Sequence, residues 1–142
     1  MSNSIFFEAK AVLFREGEEA TNLMIIKKGQ VLCLKASKDR LIPVFLANEQ
    51  DIIGESAMLG GAPHTYSAIA LSKVDAISMQ SDDFRQALSS APEWITDLTT
   101  TMIARFQKSA SLVAENRVLH PSIMSEEDFP PSLEIQYKKL LS

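Results

Sequence analysis

The residues with the most chemical character lie in one short stretch, Gly54-Glu55-Ser56-Ala57-Met58-Leu59 followed by Gly60-Gly61-Ala62-Pro63-His64-Thr65-Tyr66-Ser67-Ala68. Asp51-Ile52-Ile53 reads as the end of a strand. Gly54 lets the backbone turn, and Glu55 to Leu59 reads as one helical turn. Gly60-Gly61 stop that turn and Pro63 fixes the exit. Backbone N–H groups of such a turn point into a small concavity, with the Glu55 carboxylate at its mouth. A nest of this kind suits an anion. Catalysis has no residues to stand on. His64 and His120 are the only histidines and lie far apart in sequence, so no metal site is expected. No GxSxG, Cys–His pair or Walker-type loop is present, and the expectation is a protein that is not an enzyme.

Elements that position this stretch are strands first and helices after. Lys10 to Phe14, Leu23 to Lys28, Val31 to Ala36, Leu41 to Ala47, Tyr66 to Leu71 and Asp75 to Met79 read as short strands with polar turns between them. Gly29 supplies the positive φ of a tight connection. Pro43 demands an edge or a bulge. Only part of Val31 to Ala36 shows clean period-2 alternation. Residues 1 to 7 carry the apolar Ile5, Phe6 and Phe7, and the two Phe residues are expected to pack on the barrel or on a partner. From Ser81 the period changes. Ser81 reads as an N-cap, with Asp82-Asp83 in the first turn and Phe84, Ala87 and Leu88 on one face. Pro92 opens a long helix whose apolar stripe is Ile95, Leu98, Met102, Phe106 and Leu112-Val113. His120-Pro121 stop it. The acidic, proline-bearing tail ends in a short amphipathic segment with Leu133, Tyr137, Leu140 and Leu141 on one face, capped by Ser132. That segment is too short to be stable alone, so it is expected to dock on its own barrel, a dimer mate or a partner.

Length predicts one domain, and the stop at His120-Pro121 sets a tail, residues 119–142, apart from residues 1–118. The chain has 142 residues, 46% hydrophobic and 23% charged, which is ordinary for a soluble globular protein with a real core. A net charge of −4 gives no reason to expect nucleic acid or an anionic membrane. Cys33 is the single cysteine and excludes an intrachain disulfide, which fits a reducing compartment. It reads as a small buried apolar residue. Nothing resembles a signal peptide or a spanning helix, so the expected location is the cytoplasm.

Gly-Glu, a helical turn ending near Leu-Gly and then Pro-x-x-x-Ser/Thr-Ala resembles the phosphate-binding cassette of the cyclic nucleotide-binding domain family. Phe14-Arg15-Glu16-Gly17-Glu18-Glu19-Ala20, Leu23 to Val31, and Ser81-Asp82-Asp83-Phe84 before Leu88 and Pro92 are similar to the family's first hairpins and its passage into the terminal helices. The resemblance covers roughly residues 8 to 118 and implies a mainly β fold with C-terminal helices. That fold is a double-stranded β-helix (jelly-roll) barrel, then a short helix and a long helix. Paired long helices are how the family usually dimerises, so Leu98, Met102, Phe106 and Val113 are the candidate dimer interface. Too little chain follows the long helix for a helix-turn-helix domain, and no DNA binding is expected.

If a cyclic nucleotide binds, the resemblance implies that Glu55, after Gly54, accepts the ribose 2′-hydroxyl. The N–H groups of Ser56 and Ala57, with Thr65, hold the phosphodiester. Ser109 on the long helix meets the purine, and Ser67 or Tyr66 adds contacts. In ligand-binding members an Arg pairs with the phosphate; counting from Pro63 and Ala70, that position is His64. No Lys or Arg occurs from Gly54 to Ser72. A His with a pKa near ~6.5 is mostly neutral at neutral pH and lacks the guanidinium fork. That loss costs on the order of 1.5–3 kcal/mol, about ten- to a hundredfold in affinity. The leading expectation is a regulatory module with weak or lost cyclic nucleotide binding, acting on a protein partner in trans. The alternatives are a genuine cyclic AMP or cyclic GMP sensor, and a pocket repurposed for another ligand or filled by a protein segment such as part of the tail. No cofactor is expected beyond that possible ligand.

Overall fold

Two four-stranded antiparallel sheets, in the computed structural model, enclose the apolar residues that the strand pattern marked; it describes residues 2–59, 62–116 and 119–142. One sheet has the order β1 (Ser2–Phe7), β8 (Val74–Gln80), β3 (Asn22–Lys28), β6 (Ile52–Ile53). The other has the order β2 (Val12–Phe14), β7 (Ser67–Ala70), β4 (Val31–Ser37), β5 (Arg40–Ala47). Three α-helices follow, α1 (Ser81–Ser89), α2 (Glu93–Asn116) and α3 (Pro131–Leu141). This is the expected jelly-roll sandwich with its helices at the C-terminal end.

Alternation fixes what each face does. Met24, Ile26, Val74 and Ala76 on one sheet, and Val31, Cys33, Ile42, Val44, Ala68 and Ala70 on the other, form the inner layer. Phe106, Ala110, Val113 and Ala114 of α2 pack against the same cluster. The outer face of the second sheet is also covered: Leu32, Leu34, Leu41 and Ile69 lie under Phe129, Leu133, Tyr137 and Leu140. Strand β4 is therefore buried on both faces over Val31 to Leu34. That is why the sequence shows little period-2 patterning there.

Local chemistry sets several boundaries. Gly29 has φ +92°, and a Cβ there would lie 2.2 Å from the Lys73 carbonyl oxygen, so both the turn and the space demand glycine. Pro43 lies on an edge strand, beside a register shift between Cys33 and Leu34 of its neighbour. Residues 2 to 7 form a strand, pairing Ser2 with Met79 through Phe7 with Val74; the run Ile5-Phe6-Phe7 hides the alternation that places Ile5 and Phe7 on the core. Ser81 is not the N-cap of α1. It is the first helical residue, after an extended Gln80, and its hydroxyl donates to the Ala57 carbonyl. Ser132 likewise lies inside α3, whose N-cap is Pro130.

The tail segment docks on its own barrel. Glu134 accepts from Arg40 Nε at 3.0 Å, Arg40 Nη2 at 3.2 Å and the Leu41 N–H at 3.1 Å. Gly60-Gly61, expected to stop the helical turn, and the expected domain boundary at residue 118 lie outside the described residues.

Candidate functional site

The turn after β6 forms as the sequence predicts, as a 3₁₀ turn over Glu55–Leu59 with Glu55, Ser56 and Ala57 buried. Gly54 enters it at φ +77°, and a Cβ there would come within 2.8 Å of the Asn22 carbonyl oxygen. The Ala57 N–H, expected to face an anion, donates instead to the Gly54 carbonyl at 3.1 Å. Ser56 Oγ accepts from Gln107 Nε2 of α2 at 3.0 Å. With the Ser81 bond to Ala57, both following helices are tied to this turn.

Tyr66 is the residue that organises the interior. It shares a face with Ala68 and Ala70, two and four residues on, and only 1% of its surface is exposed. Its hydroxyl accepts from the Gly54 N–H at 3.0 Å and donates to Glu55 Oε2 at 3.0 Å. The ring meets Phe106 edge-on at 6.1 Å and Phe14 at 5.5 Å. Phe45 packs on Phe106 in turn. A backbone donor and a carboxylate of the cassette are thus engaged by the chain's own phenol. The period-2 spacing Tyr66-Ala68-Ala70 was the signal that one large side chain points inward among small ones.

Glu55 is only 8% exposed, and its other oxygen, Oε1, has no hydrogen-bond partner. Burial raises its pKa, opposed by the Tyr66 hydroxyl and the N–H groups of Glu55 and Ser56. The Thr65 hydroxyl is likewise buried without a partner. The Thr65 carbonyl accepts from Lys35 Nζ at 2.7 Å, and Lys35 also pairs with Glu16 at 3.2 Å. Lys35, which the local sequence of the cassette does not contain, is the cation the fold brings to it, and it is already engaged.

His64 stands 6% exposed with its ring stacked on Phe14, centroids 3.8 Å apart and planes 13° apart. Burial lowers its pKa and the Glu18 charge opposes this, so the imidazole is neutral near pH 7.

Two expected contacts fall away from the interior. Ser67 lies in register with Leu34, on the face opposite Tyr66, and its hydroxyl accepts from the Glu16 N–H at 2.9 Å. Ser109 is exposed on α2, where Gln107 is the residue that reaches the turn. Of the expected dimer residues, Leu98 and Met102 are 53% and 58% exposed, whereas Phe106 and Val113 turn to the barrel and pack on its core. The tail does not enter the cassette, because α3 lies on the outer face of the second sheet. Among the described residues no group of three or more His, Cys, Asp or Glu side chains is placed to hold a metal, and no helix is long and apolar enough to cross a membrane.

Comparison with known proteins agrees with this architecture. Residues 4–91 match the sequence profile of the cyclic nucleotide-binding domain. The CRP-like cAMP-activated global transcriptional regulator of Mycobacterium tuberculosis (strain ATCC 25618 / H37Rv) is 28% identical over 104 residues, 72% of this chain and 46% of that protein. The chain thus spans about half the length of the curated relatives it matches. The cAMP-bound EAL enzyme Bd1971 superposes with a TM-score of 0.68 at 23% identity, over 77% of this chain and 30% of that one. The N-terminal domain of a transcriptional regulator from Streptomyces coelicolor A3(2) superposes with a TM-score of 0.60 at 23% identity, over 78% of each chain.

Proposed function

From the premise that the chain belongs to the cyclic nucleotide-binding domain family, we propose that it is a non-enzymatic regulatory module whose cassette binds cyclic nucleotides weakly or not at all. It acts through contacts with other protein chains. The observation that carries this reading is the Tyr66 hydroxyl, bonded to both Gly54 N–H and Glu55. A ribose or phosphate entering here has to displace a fully buried ring and break both bonds. No guanidinium compensates, because His64 is neutral and stacked on Phe14. The exposed face of α2, with Trp94, Leu98 and Met102 at four-residue steps, is the surface for self-association.

Calorimetry with cyclic AMP and cyclic GMP tests the cassette. The expected outcome is no saturable heat up to about 1 mM ligand. In a folded Tyr66→Ala/His64→Arg variant, submillimolar binding is expected to appear. Micromolar binding by the protein as it stands overturns the proposal. The competing reading, a working cyclic AMP sensor, is favoured by the cAMP-activated regulator and the cAMP-bound enzyme among its relatives. It requires Tyr66 to swing out on binding, and micromolar binding in the same titration would favour it.

A further inference from the structure

A second hollow shares one wall residue, His64, with the cassette. A cavity of about 460 Å³ opens between β1, β2 and the start of β3, and Ile5, Phe7, Leu13, Phe14 and Met24 supply its apolar floor. Small-molecule sites typically measure roughly 300–1,000 Å³ and combine such a floor with a few placed polar groups. Here the placed group is His64. Its imidazole is more than nine-tenths buried, lines this cavity, and has no hydrogen-bond partner among the described residues. The imidazole offers one donor and one acceptor, and its nitrogens, which are not sealed from solvent, are open to a molecule in the cavity. The His64 backbone is fixed by bonds to the Glu18 carbonyl and from the Gly17 N–H, each at 2.8 Å, and these hold the ring against Phe14 at the cavity wall.

The mouth selects charge. Glu18 and Glu19 line it, and no Lys or Arg does. The Glu19 carboxylate has no partner among the described residues, while Glu18 accepts from the Arg15 N–H at 2.7 Å. Asn22 and Ser78, bonded to one another at 2.8 Å, form a polar patch beside the floor. An anionic nucleotide meets only negative charge here, whereas an ammonium meets two carboxylates and the free imidazole nitrogen.

We propose that this cavity is a binding site for a small amine with an apolar body, the aryl or alkyl part on the floor and the ammonium between His64 and the two glutamates. The Tyr66, Glu55 and Gly54 bonds do not line this cavity, but His64 belongs to the cassette as well, so a change at Thr21, outside the cassette, is what tests this site alone.

The probe is phenethylamine, with 3-phenylpropionate as its near-isosteric anion, read by the imidazole ring-proton NMR signals of the two histidines. His120 is exposed and reports non-specific effects. A saturable shift of the His64 signal with the amine, absent with the acid and absent at His120, is the expected result. Thr21 is exposed at the cavity wall, so Thr21→Trp fills the mouth at little risk to the fold. In that variant, with its amide spectrum otherwise retained, amine binding is expected to weaken by at least about tenfold. No saturable shift up to about 10 mM amine overturns the proposal. So does an equal response to the acid, or undiminished binding by the Thr21→Trp variant.

Discussion

Tyr66 and Glu55 are a buried donor and acceptor that hold each other in place, with Gly54 N–H as the third member. Tyr66→Phe keeps the ring and removes the hydroxyl, leaving one amide and one carboxylate oxygen without partners. A loss of about 1–3 kcal/mol is expected from urea denaturation, because the penalty is that of unmet buried polar groups and not of packing. Glu55 also gives stability a pH signature. Its folded pKa lies above its unfolded one, so its contribution is fully present below the unfolded carboxylate range and is lost as pH rises through the folded value. Glu55→Gln is expected to flatten that slope in a series of urea midpoints, and an unchanged slope refutes the assignment. His64 works in the other sense. Its pKa is lowered by burial, so its contribution is lost as pH falls through the folded value, back from a maximum above the ordinary histidine range. At this scale the sequence was partly legible. The turn was readable from Gly54 to Leu59, but the sequence puts the Glu55 carboxylate at the mouth of the concavity, whereas it is buried against Tyr66. That the vacant interior is taken by Tyr66 depends on Phe14, Phe45 and Phe106, which come from three other elements and have no local signature.

Helices α2 and α3 answer to different partners. The inward stripe of α2, with Phe106, Ala110, Val113 and Ala114, is spent on the barrel, which leaves Trp94, Leu98 and Met102 on the other side. Helical periodicity located the apolar residues but did not separate these two faces, since both recur at three- and four-residue steps. Changing Leu98 and Met102 together to Glu is expected to convert a dimer to a monomer in sedimentation with no loss of helix signal. An intact chain that already sediments as a monomer removes α2 as an interface. For α3 the anchor is Glu134. Burial pushes its pKa up, but the bonds from Arg40 and the Leu41 N–H, with the charges of Arg40 and Lys138, outweigh this and hold it below the ordinary range. Its contribution is present above the unfolded carboxylate pKa and is lost as pH falls through the folded one. Glu134→Gln is expected to cost about 1–2 kcal/mol at neutral pH, the lower end reflecting the half-exposed Arg40. Hydrogen exchange in α3 should rise with it.

The whole molecule is a sandwich with a covered back. Strand spacing and polar turns made the β architecture legible, and the order of motifs narrowed it to a jelly roll. That the tail segment docks through Leu133, Tyr137, Leu140 and Leu141 was legible, with its own barrel as one of three options; the surface it covers was not, because Leu32, Leu34 and Leu41 meet Phe129 and Tyr137 across roughly a hundred residues of sequence. A chain ending before residue 119 exposes that face as one apolar patch and is expected to associate at concentrations where the intact chain does not, as light scattering would show. The lone thiol at the centre of β4 has a practical meaning. Cys33 is fully buried in the layer between the two sheets, and burial with the charges of Glu55 and Asp51 raises its pKa. A disulfide reagent reaches it only when the sandwich parts, so the rate of thiol modification in native buffer is a direct gauge of how often the barrel opens. Any true ligand of this protein, at either hollow, should slow that reaction in proportion to its occupancy.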